Sequence, residues 1–200
     1  RYARWIQTPG AACKKTCITT SINGQKDDVD CNSARRLHGV VGPSIWVDRH
    51  MASLVPDWPA PLNIKVLFPD RRGGFSYAPY KSLNLGSHVG DDAALVARNR
   101  ASIDVPGEPF WLEQTHTDIC INADADVCNR LGDASITREQ CKVLAVMVAD
   151  CLPVVFTSLG GDIVGIAHAG WRGLADGVLS STVIALGAGS MLAWVGPAIG

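Results

Sequence analysis

Residues 143–169, VLAVMVADCLPVVFTSLGGDIVGIAHA, hold the reading that decides the fold. Val143 to Val148 is an unbroken apolar run, as expected of a strand covered on both faces. Two further apolar segments, 152–157 and 163–168, flank Gly160-Gly161, a pair suited to the positive φ angles of a tight hairpin. A two-residue turn there pairs Leu159 with Asp162 and, counting back along both strands, Pro153 with His168 and Cys151 with Gly170. Side chains alternate along a strand, so Cys151 and His168 then share one face as diagonal neighbours about 7–8 Å apart. A four-residue loop keeps that pairing, whereas a three-residue loop would send them to opposite faces.

Outward from the hairpin, residues 63–68 and 110–112 read as strands, 174–186 as a helix, and 192–195 as another strand covered on both faces. Asp91 is placed to cap a helix running through Ile103, because its carboxylate can accept from first-turn amides and alanine-rich sequence follows. Antiparallel pairing at the hairpin beside buried, parallel-type strands predicts an α+β fold: mixed β-sheets with flanking helices in a layered single domain. Residues 1–50 have no sustained apolar period and read as a poorly structured segment, either non-native (translated upstream or vector sequence) or a genuine N-terminal extension. Met51 and the proline-rich stretch behind it read as the start of the domain.

Composition excludes several classes. The chain has 200 residues, 47% hydrophobic and 18% charged, enough for one real core and unlike a disordered chain. Eighteen Lys and Arg stand against 19 Asp and Glu, with no run of five or six like charges, so neither a nucleic-acid footprint nor a polybasic membrane patch is visible. The balance conceals two unlike pieces, +4 over residues 1–50 and −5 over 51–200. No apolar run is long enough for a membrane span and residues 1–20 lack a secretory signal, so a cytoplasmic protein with a small polar ligand is the expectation. Oligomeric state is not legible.

Seven cysteines and no CxxC pair leave a closed four-cysteine zinc site unsupported. Three histidines fall in the domain: His88, His116 and His168. One reading makes Cys151 and His168 ligands of a metal, with His116 or His88 as the third and an open fourth position, as catalytic zinc requires. A second makes Cys151 a nucleophile deprotonated by His168, with Asp150 or Asp118 orienting the ring. A third makes Cys151 a small buried residue and His168 the end of a strand. Three histidines with no H-x-H pair cannot supply a complete multicopper set.

Two loops have the makings of anion sites. Gly73-Gly74 allows close approach of backbone amides, with Arg71, Arg72 and Ser76 beside it. Residues 169–173, AGWRG, join a strand to a helix and bring Arg172. Trp171 and Phe75 could stack on a flat ring, although core packing is the more ordinary use of both.

The motifs LVPDWP (54–59), RRGGFS (71–76), SLNLGSHVGD (82–91), WLEQTH (111–116), DAS (133–135), AVMVADCLPV (145–154), AHAGWRGL (167–174) and LAWVGPAIG (192–200) together resemble the YfiH family, also called the laccase-domain or polyphenol oxidase family. The resemblance implies a YfiH-like fold and one metal site formed by His116, Cys151 and His168, holding zinc, with copper as the alternative. It implies purine nucleoside phosphorylase activity on adenosine, guanosine, inosine and methylthioadenosine, with adenosine deaminase activity. A copper-dependent polyphenol oxidase is the alternative, and a Cys-His hydrolase a further one. Cys151, His168 and Arg71 would be catalytic, and Arg71, Ser76, Asn84, His88 and Arg172 would bind substrate. Three departures stand out: Asp70 replaces the usual threonine, with the potential to weaken anion binding at Arg71; Val148 replaces a frequent threonine; Thr117 replaces a usual glycine. Family chains continue beyond the GPAIG motif, so residues 51–200 are expected to be a catalytic domain truncated at its C-terminus.

Overall fold

The computed structural model describes residues 2–7, 53–125 and 128–199. Its first sheet contains β1 (Tyr2–Gln7), β2 (Ser53–Leu54), β3 (Lys65–Pro69), β4 (Pro109–Trp111) and β7 (Val143–Val148), in the order β2-β3-β1-β7-β4. The second contains β5 (Cys120–Asn122), β6 (Ala134–Thr137), β8 (Leu152–Ser158), β9 (Val164–Ala169) and β10 (Met191–Val195), in the order β10-β8-β9-β6-β5. Pairing is parallel between β4 and β7 and between β5 and β6, and antiparallel elsewhere. Among the described residues three helices flank the sheets: α1 (Ala93–Ala101), α2 (Trp171–Asp176) and α3 (Val178–Leu186).

Alternation along β7 explains the layering. Leu144, Val146 and Val148 point into a core shared with Phe68, Phe110, Val155, Val164 and Ile166, so this core lies between the two sheets. Val143 and Ala145 point the other way, against Leu83, Leu85 and Ile103. A third core packs β6, β8 and β9 against Val178 and Leu186 of α3. The mixed sheets with flanking helices expected from sequence are therefore present, and β7 is buried on both faces. Truncating a fully buried side chain such as Leu144 would cost about 2–5 kcal/mol.

Four local expectations change. Strand β10 is half exposed rather than covered on both faces, because it forms the edge of its sheet. The single helix expected over 174–186 is two helices, broken at Gly177, which has φ 101 and ends α2 in a left-handed cap. Asp92, not Asp91, caps α1, accepting from the amides of Ala94 and Leu95. Within residues 1–50, expected to be poorly structured, Tyr2–Gln7 is a strand paired with β3 and β7; its sequence, YARWIQ, does not alternate apolar with polar and so gives no strand signal. The rest of that segment lies outside the described residues.

The hairpin has the expected register. Pro153 pairs with His168 and Leu152 with Ala169. Its connection is the four-residue form: the amide of Ser158 donates to the carbonyl of Ile163, and that of Gly161 to Ser158. On the other side of β9, Ala134 pairs with Ala167, and the amide of His168 donates to the carbonyl of Asp133 at 2.7 Å.

Candidate metal centre

Three side chains meet where β8 begins and β9 ends. Donor atoms of His116, Cys151 and His168 all lie within 4.8 Å of one another. Nε2 of His116 is 3.9 Å from Sγ of Cys151, and the two imidazoles stand edge to face with centroids 4.9 Å apart. Tetrahedral zinc at ordinary bond lengths would place such donors about 3.3–3.6 Å apart, so a small closure of the side chains suffices. One thiolate and two imidazoles suit zinc and copper alike, and three ligands leave a fourth position open. Among the described residues this is the one group of three or more His, Cys, Asp or Glu able to hold a metal ion.

Each ligand is placed by a different local device. His168 is fixed by the β9 ladder and is 4% exposed. Cys151 follows from the hairpin register, directly before β8. His116 sits in a loop with φ 63, a left-handed conformation costing roughly 1–2 kcal/mol for a residue with a Cβ. That loop is tied at both ends. The side-chain amide of Gln114 donates to the carbonyl of Met147 at 2.8 Å and accepts from its amide at 2.7 Å, anchoring the loop to β7. On the other side, Asp133 Oδ2 accepts from the amides of Thr115 and Thr117 and from Thr117 Oγ1.

The remaining carboxylate oxygen, Asp133 Oδ1, lies 2.7 Å from Nδ1 of His168. The orienting acid is thus Asp133, not Asp150 or Asp118; the β6–β9 register sets it opposite His168, and no local pattern exposes that pairing. Thr117, the departure from a usual glycine, contributes two of the bonds to this carboxylate. Burial pushes the Asp133 carboxyl up, but hydrogen bonds from His168, Thr117 and Thr115 and the charge of His168 outweigh it and hold the group below its ordinary range. Burial, and then the negative charges of Asp150 and Asp133, push the Cys151 thiol up, the opposite of the depression that activates a nucleophilic cysteine.

The other expected site residues lie in varied settings. His88 is exposed and outside the three-donor group, so the third donor is His116. Arg71 donates from Nε and Nη2 to the carbonyl of Lys81. Asp70 engages Arg72 rather than Arg71, accepting from its backbone amide at 2.8 Å and from Nε at 2.6 Å. Gly74 leaves room for the chain itself rather than for a ligand: a Cβ there would lie 2.3 Å from Cα of Leu83. Ser76 and Asn84 are buried around Asn99, whose Nδ2 donates to Ser76 Oγ and to the carbonyls of Ser82 and Asn84, while its Oδ1 accepts from Phe75. Trp171 is 73% exposed at the start of α2, so core packing is excluded for it; the Arg172 guanidinium lies 5.0 Å from its ring centroid. Phe75 is half-buried beneath Arg98. No helix among the described residues is long and apolar enough to cross a membrane.

Residues 65–200 match the family described as multi-copper polyphenol oxidoreductase laccase. A Pseudomonas aeruginosa protein named as a purine nucleoside phosphorylase is 46% identical over 153 residues, 74% of this chain and 63% of its own. The Escherichia coli purine nucleoside phosphorylase YfiH is 45% identical over 154 residues, with the same coverage. Among solved structures, a Neisseria meningitidis protein of the DUF152 family superposes with a TM-score of 0.68 at 45% identity, covering 74% of this chain and 63% of that one. YlmD from Geobacillus stearothermophilus superposes with a TM-score of 0.55 at 32% identity, covering 67% and 57%. The chain spans 63% of the length of the two named relatives.

Proposed function

Because the chain belongs to the YfiH, or laccase-domain, family, we propose that it is the metal-binding part of a zinc-dependent purine nucleoside phosphorylase that also deaminates adenosine. The observation that supports the metal half of this reading is the clustering of the donor atoms of His116, Cys151 and His168 within 4.8 Å of one another. The names of the relatives carry the substrate half: a purine nucleoside and phosphate.

Bound by these three residues, zinc would supply Lewis-acid polarisation of a group at its open position. The chain's own residues do the rest. His168, held through Nδ1 by Asp133, would be left with Nε2 to hold the ion. Gly170 leaves the space beside His116 and Cys151 free of a side chain. Arg71 spends two of its five donors on Lys81 and, with Arg172, is the candidate to hold phosphate. Ser76 and Asn84 brace the 75–84 loop around Asn99, and His88, exposed, is a further candidate to bind substrate. Phosphorolysis joins a phosphate oxygen to ribose C1′ as the bond to the purine breaks, so the leaving base takes up a proton.

Copper at the same three donors is the second reading, favoured by the family's description as laccase-like. One three-donor group among the described residues supports a single ion, not a multicopper set. Incubation of the metal-replete protein with adenosine and phosphate is expected to yield adenine and ribose 1-phosphate, with inosine as the deamination product. Absence of both products from the wild-type protein, or their persistence in Cys151→Ala, would overturn the proposal. Oxygen uptake with a phenol, lost in the same variant, would transfer the site to copper chemistry.

A further inference from the structure

Asp133 is 0% exposed, receives three hydrogen bonds at Oδ2 and makes a fourth at Oδ1 with His168, yet the three-donor group does not include it. Its partners are what make it consequential: one carboxylate oxygen holds the ring of His168, and the other holds the backbone on both sides of His116. We propose that Asp133 is the positioning residue of the centre, fixing the tautomer of one ligand and the loop conformation of another, and thereby setting metal affinity. This inference rests on the metal reading above.

The proton inventory supports it. The amides of Thr115 and Thr117 can only donate, so Oδ2 must accept. With three donors on Oδ2, Oδ1 is the free acceptor facing the ring, 2.7 Å from Nδ1. The proton between Oδ1 and the ring therefore resides on Nδ1, which leaves the lone pair on Nε2, the nitrogen able to join His116 and Cys151 at a metal. Hydrogen bonding of this kind fixes the tautomer and raises the basicity of a metal-bound histidine. The same carboxylate stabilises the left-handed backbone of His116 by accepting from the amides on either side of it. One buried group thus organises two of the three ligands, which reach the site from opposite sides of Asp133 in sequence.

Asp133→Asn tests the idea with little change of shape. The carbonyl oxygen of the new amide must take the two threonine N–H groups, so its NH₂ faces His168 and moves the ring proton to Nε2. Long-range proton–nitrogen correlation spectra of the metal-free full chain should show Nδ1–H in the wild type and Nε2–H in the variant. Zinc affinity, measured by competition with a chromophoric chelator, should fall about 10–100-fold. An Nε2–H tautomer in the wild type overturns the proposal even if the variant does not fold. So does a folded variant that binds zinc as tightly as the wild type. Zinc binding by neither chain, with the tautomer switch intact, removes the metal reading while supporting Asp133 as the residue that orients His168.

Discussion

Gly170 faces Cys151 across the open end of the β8–β9 hairpin with no room for a Cβ, which would lie 3.1 Å from Sγ of Cys151 and 2.8 Å from Cδ2 of His116. The backbone of Gly170, at φ −65 and ψ 161, is one that alanine adopts freely. The glycine is required by its neighbours rather than by its conformation.

Gly170→Ala should therefore act on the ligands and not on the fold. Zinc affinity is expected to fall at least about 10-fold, with the melting temperature of the metal-free protein nearly unchanged. Wild-type affinity in the alanine variant would mean that His116 and Cys151 move aside without consequence.

Acid should destabilise the protein through Asp133. Its carboxyl pKa is held down in the folded state despite burial, so its contribution is present above the unfolded value of about 3.9 and is lost as pH falls through the lower folded value. Melting temperature should hold steady from neutrality to about pH 5 and drop below about pH 4, with a shallower drop in Asp133→Asn. Equal acid sensitivity of the two proteins would place the effect elsewhere.

Cysteine reactivity should separate two thiols cleanly. Burial drives Cys120 up to about 11, partly offset by a hydrogen bond with Thr182, whereas Cys128 is exposed. At about pH 8 only about one Cys120 in a thousand is thiolate, so iodoacetamide should modify Cys128 at least about 10-fold faster. Peptide mass mapping of a timed reaction measures both rates, and comparable rates would contradict the burial of Cys120.

Asn99 is the internal brace of the 75–84 loop, with four hydrogen bonds from a fully buried amide. Asn99→Ala strands the Phe75 amide and two carbonyls, and should lower unfolding stability by about 2–4 kcal/mol. Denaturant titration measures the loss; a change below about 0.5 kcal/mol would mean that water replaces the amide.

The hairpin was the most legible part of the chain because its register follows from a local turn and a period of two; Cys151 and His168 were brought to one face by that alone. His116 required the family resemblance, since its loop reaches the site by tertiary bonds to Met147 and Asp133 rather than by any periodicity. Strands β5 and β6 left no clear mark: three and four residues are too short to show alternation, and β6 is buried on both faces. Gly177 was legible as a glycine but not as a break, because an isolated glycine in a helical pattern is often tolerated. Asp133 was visible only as part of a motif; its partner lies 35 residues away, across a pairing that no local signal specifies.

β7 and β8 are consecutive strands in different sheets, and Cys151 lies in the short crossing between them. The loop of His116 is pinned to β7 by Gln114 and to the end of β6 by Asp133. Neither sheet alone can then present the three donors at their final spacing, so on the proposed metal reading capture of the ion would follow the meeting of the two sheets. Zinc uptake during refolding should lag the formation of strand structure and coincide with docking of one sheet on the other. The ion would serve as a clock for that step, readable by a metal-sensitive dye in a stopped-flow mixer.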